Sequence, residues 1–170
     1  IKFRESFRPF APCVMEEDKA EYFDLDHCSP YMLLVADVRD DVRRQLTNEE
    51  RELMRDPDLR NRVNVVRSEI PAVTHVDMSA RVQTASEQRN GRFWRLIREF
   101  KRQTGCGVLI NTSFNIRGEP IVCTPDDAYR CFLATDMDVL VMGNCIIQKT
   151  EQPGIDRDRR REYIDSFQLD

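Results

Sequence analysis

The sequence is poor in the residue patterns that mark several classes of protein. It contains only two histidines, and none of its six cysteines forms a C-x-x-C pair with another. The sequence therefore predicts no metal site built from protein side chains, and the cysteines are expected to be reduced core thiols. No apolar run approaches the ~18 residues of a membrane span, and no signal peptide is recognisable. These absences favour a cytoplasmic protein with no membrane partner.

Positive charge is not in excess, which limits what the whole surface could bind. The 170 residues include 26 Lys and Arg against 30 Asp and Glu, a net charge of −4. This balance argues against general binding to nucleic acid, so any anion site must be local. With 41% hydrophobic residues, the chain is long enough to bury one sizeable core.

Strand and helix patterns alternate along the chain, and they predict an α/β fold with a mixed sheet. Five stretches with apolar runs are interpreted as extended segments, the second and the last as strand pairs: 31–38, 71–85, 107–114, 119–123 and 137–149. In the clearest helix, Phe93, Leu96, Ile97 and Phe100 recur at helical spacing and Gly105 follows as a stop. We expect these four side chains to form its buried face, and the lone tryptophan of this helix to lie in the core as well.

Two further helices are predicted from capping patterns, and one segment is interpreted as a tail. Thr47 begins a capping box, and Thr124 followed by Pro125 suits a helix amino-terminus. Residues 1–149 are predicted to form one domain, and residues 150–170 a charged carboxy-terminal tail. The tail would be ordered only if its apolar side chains dock, namely Tyr163, Ile164 and Phe167.

Three polar stretches beside strands are the site candidates: 2–8, 74–81 and 111–120. In the first, strand alternation would place Lys2 and Arg4 on one side, where two neighbouring cations suit a phosphate or carboxylate ligand. An edge strand with a solvated charged face explains the same pattern. In the second stretch, Arg81 is either a phosphate clamp or a surface arginine.

The third stretch leaves a buried strand with several polar side chains in quick succession. Asn111, Ser113, Asn115 and Arg117 could donate to phosphate oxygens, although an ordinary turn would use the same residue types. No Walker-type glycine loop is present. A hydrolase triad of His75, Asp77 and Ser113 is a weak alternative because no G-x-S-x-G motif surrounds the serine, so we expect His75 to have a structural role.

Four motifs in order carry a family resemblance: "IKFRESFRPFAP", "IPAVTHVDMSARVQT", "NTSFNIRGEPIVCTPDDAYRCF" and "TDMDVLVMGN". Together they resemble the carboxy-terminal domain of the NodU/CmcH-type O-carbamoyltransferases, which is similar to the YrdC/Sua5 group. The resemblance implies a YrdC/Sua5-like twisted mixed parallel-antiparallel sheet with flanking helices. It covers about residues 1–149, and we expect Ile1 to lie inside a longer enzyme.

The resemblance also implies site residues. The shared signature, Lys-x-Arg with a later Ser-x-Asn, is matched by Lys2, Arg4, Ser113 and Asn115, which are the implied catalytic residues. Arg81 matches a position of the nucleotide pocket, and Asn111 and Arg117 are further substrate-binding candidates. One departure is Met78, which stands where the family usually has glycine, so the turn before Arg81 could differ.

The implied reaction uses ATP, with Mg²⁺, and carbamoyl phosphate to make carbamoyl-adenylate. An amino-terminal Kae1-like domain of the same polypeptide would then transfer the carbamoyl group to an acceptor hydroxyl, and iron is expected only in that domain. Two alternatives remain open. One is a non-catalytic module that binds a nucleotide or RNA, although the acidic net charge argues against RNA. The other is an interaction domain that closes the acceptor site of its partner.

Overall fold

The computed structural model describes residues 9–154 and 156–167, which fall into two compact units. The described part of the first unit runs from Pro9 to Thr112, and that of the second unit begins at Ser113. Short 3₁₀ turns occur at Pro71–Val73 in the first unit and at Lys149–Glu151 in the second.

The first unit is built on a four-stranded sheet of β1 (Ala11–Met15), β2 (Leu34–Asp37), β3 (Ser79–Ala85) and β4 (Val108–Asn111), in the order β2-β3-β1-β4. Strand β1 runs parallel to β3, whereas the β1–β4 and β2–β3 pairs are antiparallel. The expected mixed parallel-antiparallel sheet with flanking helices is therefore confirmed. The helices of this unit are α1 Lys19–Tyr22, α2 Asn48–Leu53, α3 Leu59–Val63 and α4 Glu87–Thr104.

The two faces of this sheet are covered differently. One face carries the larger apolar core, in which Val14 of β1 and Val82 of β3 are fully buried. The other face packs against α4 around Cys13 and Ala85. Because alternate residues of a strand point to opposite faces, this packing decides which residues share each side of the sheet.

Helix α4 confirms the predicted helix and its glycine stop but corrects its buried face. Gly105 follows it in the left-handed region at φ 76°, a conformation that favours glycine. The helix buries Trp94 and Ile97 against the sheet. Leu96 is 57% exposed and Phe100 36% exposed, so the predicted apolar face is wrong at these two positions.

The second unit contains a helix, a hairpin and a carboxy-terminal helix. Its elements are α5 Pro125–Ala134, β5 Val139–Met142, β6 Cys145–Gln148 and α6 Arg157–Asp165. Strands β5 and β6 pair through the predicted turn, in which Gly143 has φ 60°. Phe132 of α5 is fully buried against Leu140 of β5 in this unit's core.

Several sequence expectations differ from the structure. The first half of 71–85 forms a 3₁₀ turn and not a strand, because Pro71 begins a turn that closes at Thr74. The stretch 119–123 is not assigned to a strand. Of the six cysteines, Cys13 and Cys131 are buried, whereas three are exposed: Cys28, Cys123 and Cys145. The expectation of core thiols therefore holds for only part of the set.

Candidate functional site

The candidate site residues fall in different parts of the structure. Lys2 and Arg4 lie outside the described residues, so their predicted roles remain predictions. Arg81 and Asn111 belong to the sheet of the first unit, and Ser113, Asn115 and Arg117 to the second unit.

The sheet places Arg81 and Asn111 on the same face. Cys13 of β1 is aligned with Gln83 of β3 and with Leu109 of β4. Arg81 lies two residues before Gln83, and Asn111 two residues after Leu109, so alternation turns all of them to the face that α4 partly covers. We call Arg81, Gln83 and Asn111 the polar sheet face.

Hydrogen bonds fix part of this polar sheet face. The amide of Asn111 donates through Nδ2 to Oε1 of Gln83, and Gln83 donates through Nε2 to the carbonyl of Pro30 at 3.0 Å. The backbone of Arg81 pairs with Val35 of β2, but its exposed side chain makes no ion pair or hydrogen bond with another described residue. Its guanidinium is therefore available to an anion. Gln83 was not predicted, although its alternation with Arg81 in the sequence was a usable signal.

A compact loop carries the serine and asparagine of the predicted signature. Ser113 is exposed, and its hydroxyl donates to Oδ1 of Asn115 at 2.7 Å. Asn115 is half-buried and donates through Nδ2 to the backbone carbonyl of Glu119 at 2.8 Å. Asn115 thus orients the serine hydroxyl and closes the turn with one side chain. We call residues 113–119 the Ser-Asn loop.

The Ser-Asn loop is held from inside by a buried carboxylate that the sequence did not single out. Glu119 is 8% exposed, and its Oε2 accepts from the backbone N–H of Ile116 at 2.8 Å. Its Oε1 accepts from the hydroxyl of Tyr163. Burial and the neighbouring Glu119 raise the pKa of Tyr163 well above its ordinary value, so the hydroxyl remains a donor at neutral pH.

Two further residues of the Ser-Asn loop are an exposed cation, Arg117, and a glycine with positive φ, Gly118. Arg117 is exposed and forms no ion pair with another residue of the described part of the chain. Gly118 has φ +82°, where a side chain would be strained. The geometry leaves the Arg117 side chain open to solvent and therefore to an anionic ligand.

His75 has the structural role that was expected. Its Nδ1 lies 3.0 Å from the hydroxyl of Ser79, and that hydroxyl donates to Oδ1 of Asp77 at 2.7 Å. Burial lowers the pKa of His75, and hydrogen bonds from Ser79 lower the pKa of Asp77. Met78 adopts φ 66° in this turn, a left-handed conformation that glycine adopts more easily than methionine.

Two features are absent from the part of the chain that the structure describes, a metal-binding cluster and a membrane-spanning helix. Within residues 9–154 and 156–167, no group of three or more His, Cys, Asp or Glu side chains is arranged to hold a metal ion. None of the described helices combines the length and the apolar character needed to cross a bilayer.

Candidate anion-binding groups thus occur at two places, the polar sheet face and the Ser-Asn loop. The structure is that of an α/β protein with a mixed sheet. The family described as Carbamoyltransferase C-terminus matches residues 1–149. The chain therefore belongs to this family, as the motifs of the sequence predicted. Residues 150–170, which include α6, lie beyond the matched region.

Relatives match this chain over only part of their own length. The uncharacterized protein sll1178 of Synechocystis sp. is 53% identical over 170 residues, 100% of this chain and 27% of that protein. Nodulation protein NolNO of Sinorhizobium fredii is 40% identical over 152 residues, 88% of this chain and 19% of that protein. The 3'-hydroxymethylcephem-O-carbamoyltransferase of Amycolatopsis lactamdurans is 34% identical over 151 residues, 89% of this chain and 24% of that protein. The chain thus spans about a quarter or less of these relatives.

Proposed function

We propose that this chain is the carbamoyl-activating part of a longer carbamoyltransferase and forms carbamoyl-adenylate from ATP and carbamoyl phosphate. The observation that carries the proposal is the Ser-Asn loop, in which Ser113 and Asn115 form a hydrogen-bonded pair at 2.7 Å. This loop lies within the region that matches the carbamoyltransferase family. A preset hydroxyl and amide at an exposed loop suit the orientation of a phosphate or carbamoyl group.

The proposed reaction has two balanced steps. In the first step the oxygen of water bonds to the phosphorus of carbamoyl phosphate, and the bond from phosphorus to the carbamoyl oxygen breaks. Carbamate leaves with the electron pair of that bond, and the protons of water remain on the inorganic phosphate. A carbamate oxygen then attacks the α-phosphorus of ATP, a new O–P bond forms, and pyrophosphate leaves with the electron pair of the broken bond. The second step needs no general base, because carbamate already carries its negative charge.

Electrostatic repulsion is the main obstacle to the second step. Carbamate and the triphosphate are both anions, so cationic side chains must offset their mutual repulsion. Arg81 is exposed and without an ion pair among the described residues, which supports this role for it. Lys2 and Arg4 are proposed to act in the same way. Each preorganised donor would lower the barrier by about 2 to 4 kcal/mol.

The polar residues are proposed to orient the reactants. Ser113 and Asn115 would bind phosphate or carbamoyl oxygens, and Ser113 is not proposed as a covalent nucleophile. Asn111 and Arg117 would add substrate contacts, which the exposure of Arg117 supports. Mg²⁺ would enter with ATP and neutralise charge on the leaving pyrophosphate.

Transfer to the acceptor is proposed to take place in another part of the same polypeptide. This chain covers 27% of sll1178 and 24% of the Amycolatopsis relative, whose name states an O-carbamoyltransferase activity. We propose an amino-terminal Kae1-like domain, with iron, that passes the carbamoyl group from the adenylate to a hydroxyl. The large share of the relatives that precedes or follows the matched region supports a further domain of this kind.

The test is pyrophosphate release by the full-length protein that contains this chain. The protein is incubated with ATP and Mg²⁺, with and without carbamoyl phosphate, and ATP binding is measured in parallel by calorimetry. We expect pyrophosphate and phosphate to appear together only when carbamoyl phosphate is present. Binding of ATP without carbamoyl phosphate-dependent pyrophosphate release would overturn the enzymatic proposal and favour a nucleotide-binding module.

A further inference from the structure

The Ser-Asn loop is connected to helix α6 by a continuous series of hydrogen bonds. The hydroxyl of Ser113 donates to Asn115, and Asn115 donates to the carbonyl of Glu119. The carboxylate of Glu119 accepts from Ile116 and from the hydroxyl of Tyr163. Two residues, Asn115 and Glu119, thus connect Tyr163 to Ser113, the serine that is proposed to bind substrate.

The position of Glu119 makes this connection structurally important. Glu119 is 8% exposed, and a buried carboxylate is costly unless hydrogen bonds satisfy both of its oxygens. Ile116 serves one oxygen and Tyr163 serves the other. Loss of the tyrosine hydroxyl would therefore leave Oε1 without this donor and favour movement of Glu119 toward water.

A second contact brings the end of α6 against the same loop. A Cβ placed on Gly118 would overlap the backbone carbonyl of Phe167, so the loop and the chain after α6 approach as closely as glycine allows. The rings of Tyr163 and Phe167 meet edge-to-face, with centroids 5.1 Å apart. Arg160 of α6 also pairs with Asp136 after α5, at 2.8 Å. The carboxy-terminal segment therefore contacts the loop at two points, Glu119 and Gly118, and the segment after α5 at a third.

We propose that Tyr163 is a positioning residue for the Ser-Asn loop and acts through Glu119 to hold Ser113 and Asn115 in the conformation used for substrate. This inference rests on the proposed function for its catalytic consequence. The proposal links two parts of the chain. The Ser-Asn loop lies within the region that matches the family, whereas α6 lies beyond residue 149, where that match ends. The charged carboxy-terminal segment thereby has a role in organising the site.

The test compares Tyr163→Phe with Tyr129→Phe in the full-length protein. Both changes remove one hydroxyl group from a half-buried tyrosine. Tyr129 is a matched control because its hydroxyl also donates a hydrogen bond to a side chain, to Oε1 of Gln152 at 2.8 Å. Hydrogen exchange of the peptide that contains Ile116 reports on the loop, and steady-state pyrophosphate release reports on activity. We expect Tyr163→Phe to speed exchange at Ile116 about tenfold and to lower kcat for pyrophosphate release about tenfold, consistent with the loss of a charged hydrogen bond.

The control should leave both measurements close to wild type. Gly118→Ala, which disturbs the second contact, should also speed exchange at Ile116. Unchanged exchange in Tyr163→Phe would overturn the inference whatever the activity, and faster exchange with wild-type kcat would overturn it as well. If the wild-type protein forms no pyrophosphate, the proposed function fails. In that case hydrogen exchange is the deciding measurement, and faster exchange at Ile116 in Tyr163→Phe would still support positioning of the loop by Tyr163.

Discussion

Replacement of Ser113 by alanine should separate activity from stability. The Ser113 hydroxyl is exposed and donates to Asn115 at 2.7 Å. A neutral hydrogen bond of this kind contributes about 1 kcal/mol to the free energy of unfolding, and exposure to water reduces its net value. For a chain of this size, 1 kcal/mol corresponds to roughly 2–4 °C in Tm. We therefore expect Ser113→Ala to lower the Tm by no more than about 4 °C.

The expected effect on activity is much larger. If the hydroxyl orients a substrate oxygen in the transition state, its removal should slow pyrophosphate release by about 10²–10³-fold. Thermal unfolding and steady-state pyrophosphate release are measured on the same preparation of the full-length protein. The ratio of the two effects decides between a substrate contact and a purely structural turn.

Thr104→Val is the matched control for Ser113→Ala. The exposed Thr104 hydroxyl donates to the carbonyl of Phe100 at 2.8 Å and accepts from the N–H of Cys106 at 3.1 Å. The control should therefore lose at least as much stability as Ser113→Ala but retain wild-type pyrophosphate release. A wild-type rate in Ser113→Ala would refute the reasoning, as would a loss of rate that the control reproduces.

Two stability predictions test the fold. Ile97→Ala should lower the free energy of unfolding by about 2–5 kcal/mol, because Ile97 is fully buried. Leu96 is 57% exposed, so Leu96→Ala should lower the free energy of unfolding by well under half as much. Urea unfolding measures both values. At Met78, with φ 66°, glycine should be more stable than alanine by roughly 1 kcal/mol in the same assay. Equal losses at Ile97 and Leu96, or greater stability of Met78→Ala than of Met78→Gly, would contradict these assignments.

Local chemistry made several helix boundaries predictable. At the predicted amino-terminus of α5, the Thr124 side chain accepts from the N–H of Asp127, and the Asp127 side chain accepts from the N–H of Thr124. These two hydrogen bonds form a capping box. Thr47 and Glu50 make the same reciprocal pair at α2. These contacts join residues three positions apart, so the sequence contains all the information they need.

The buried face of α4 was only partly predictable from its own residues, because Trp94 and Ile97 are buried as expected whereas Leu96 and Phe100 are not. Phe93, Leu96, Ile97 and Phe100 have a helical period, but so does the pair of Trp94 and Ile97 that the structure buries. The larger indole selects the second face because its ring packs on the sheet and its Nε1–H donates to Glu17 at 2.9 Å. That choice depends on residues more than 70 positions away.

The candidate site shows the same division between local and distant information. Ser113 and Asn115 are two residues apart, and their pairing follows from turn chemistry that the sequence displays. The contact between Glu119 and Tyr163 joins residues 44 positions apart and was not predicted. Gln83 was missed because its partner, Asn111, lies on another strand. The sequence thus indicated the candidate site residues, whereas the groups that hold them in place became apparent only in the folded chain.

The central claim is tested most directly by capture of the proposed intermediate. The full-length protein is incubated with ATP, Mg²⁺ and ¹³C-carbamoyl phosphate in the absence of an acceptor, quenched, and examined by mass spectrometry for carbamoyl-adenylate. We predict that the labelled adenylate forms in wild type and is lost in Ser113→Ala and Arg81→Ala. Absence of the labelled adenylate in wild type, carbamoyl transfer to an added acceptor without ATP, or adenylate formation at the wild-type rate in either variant would contradict the account.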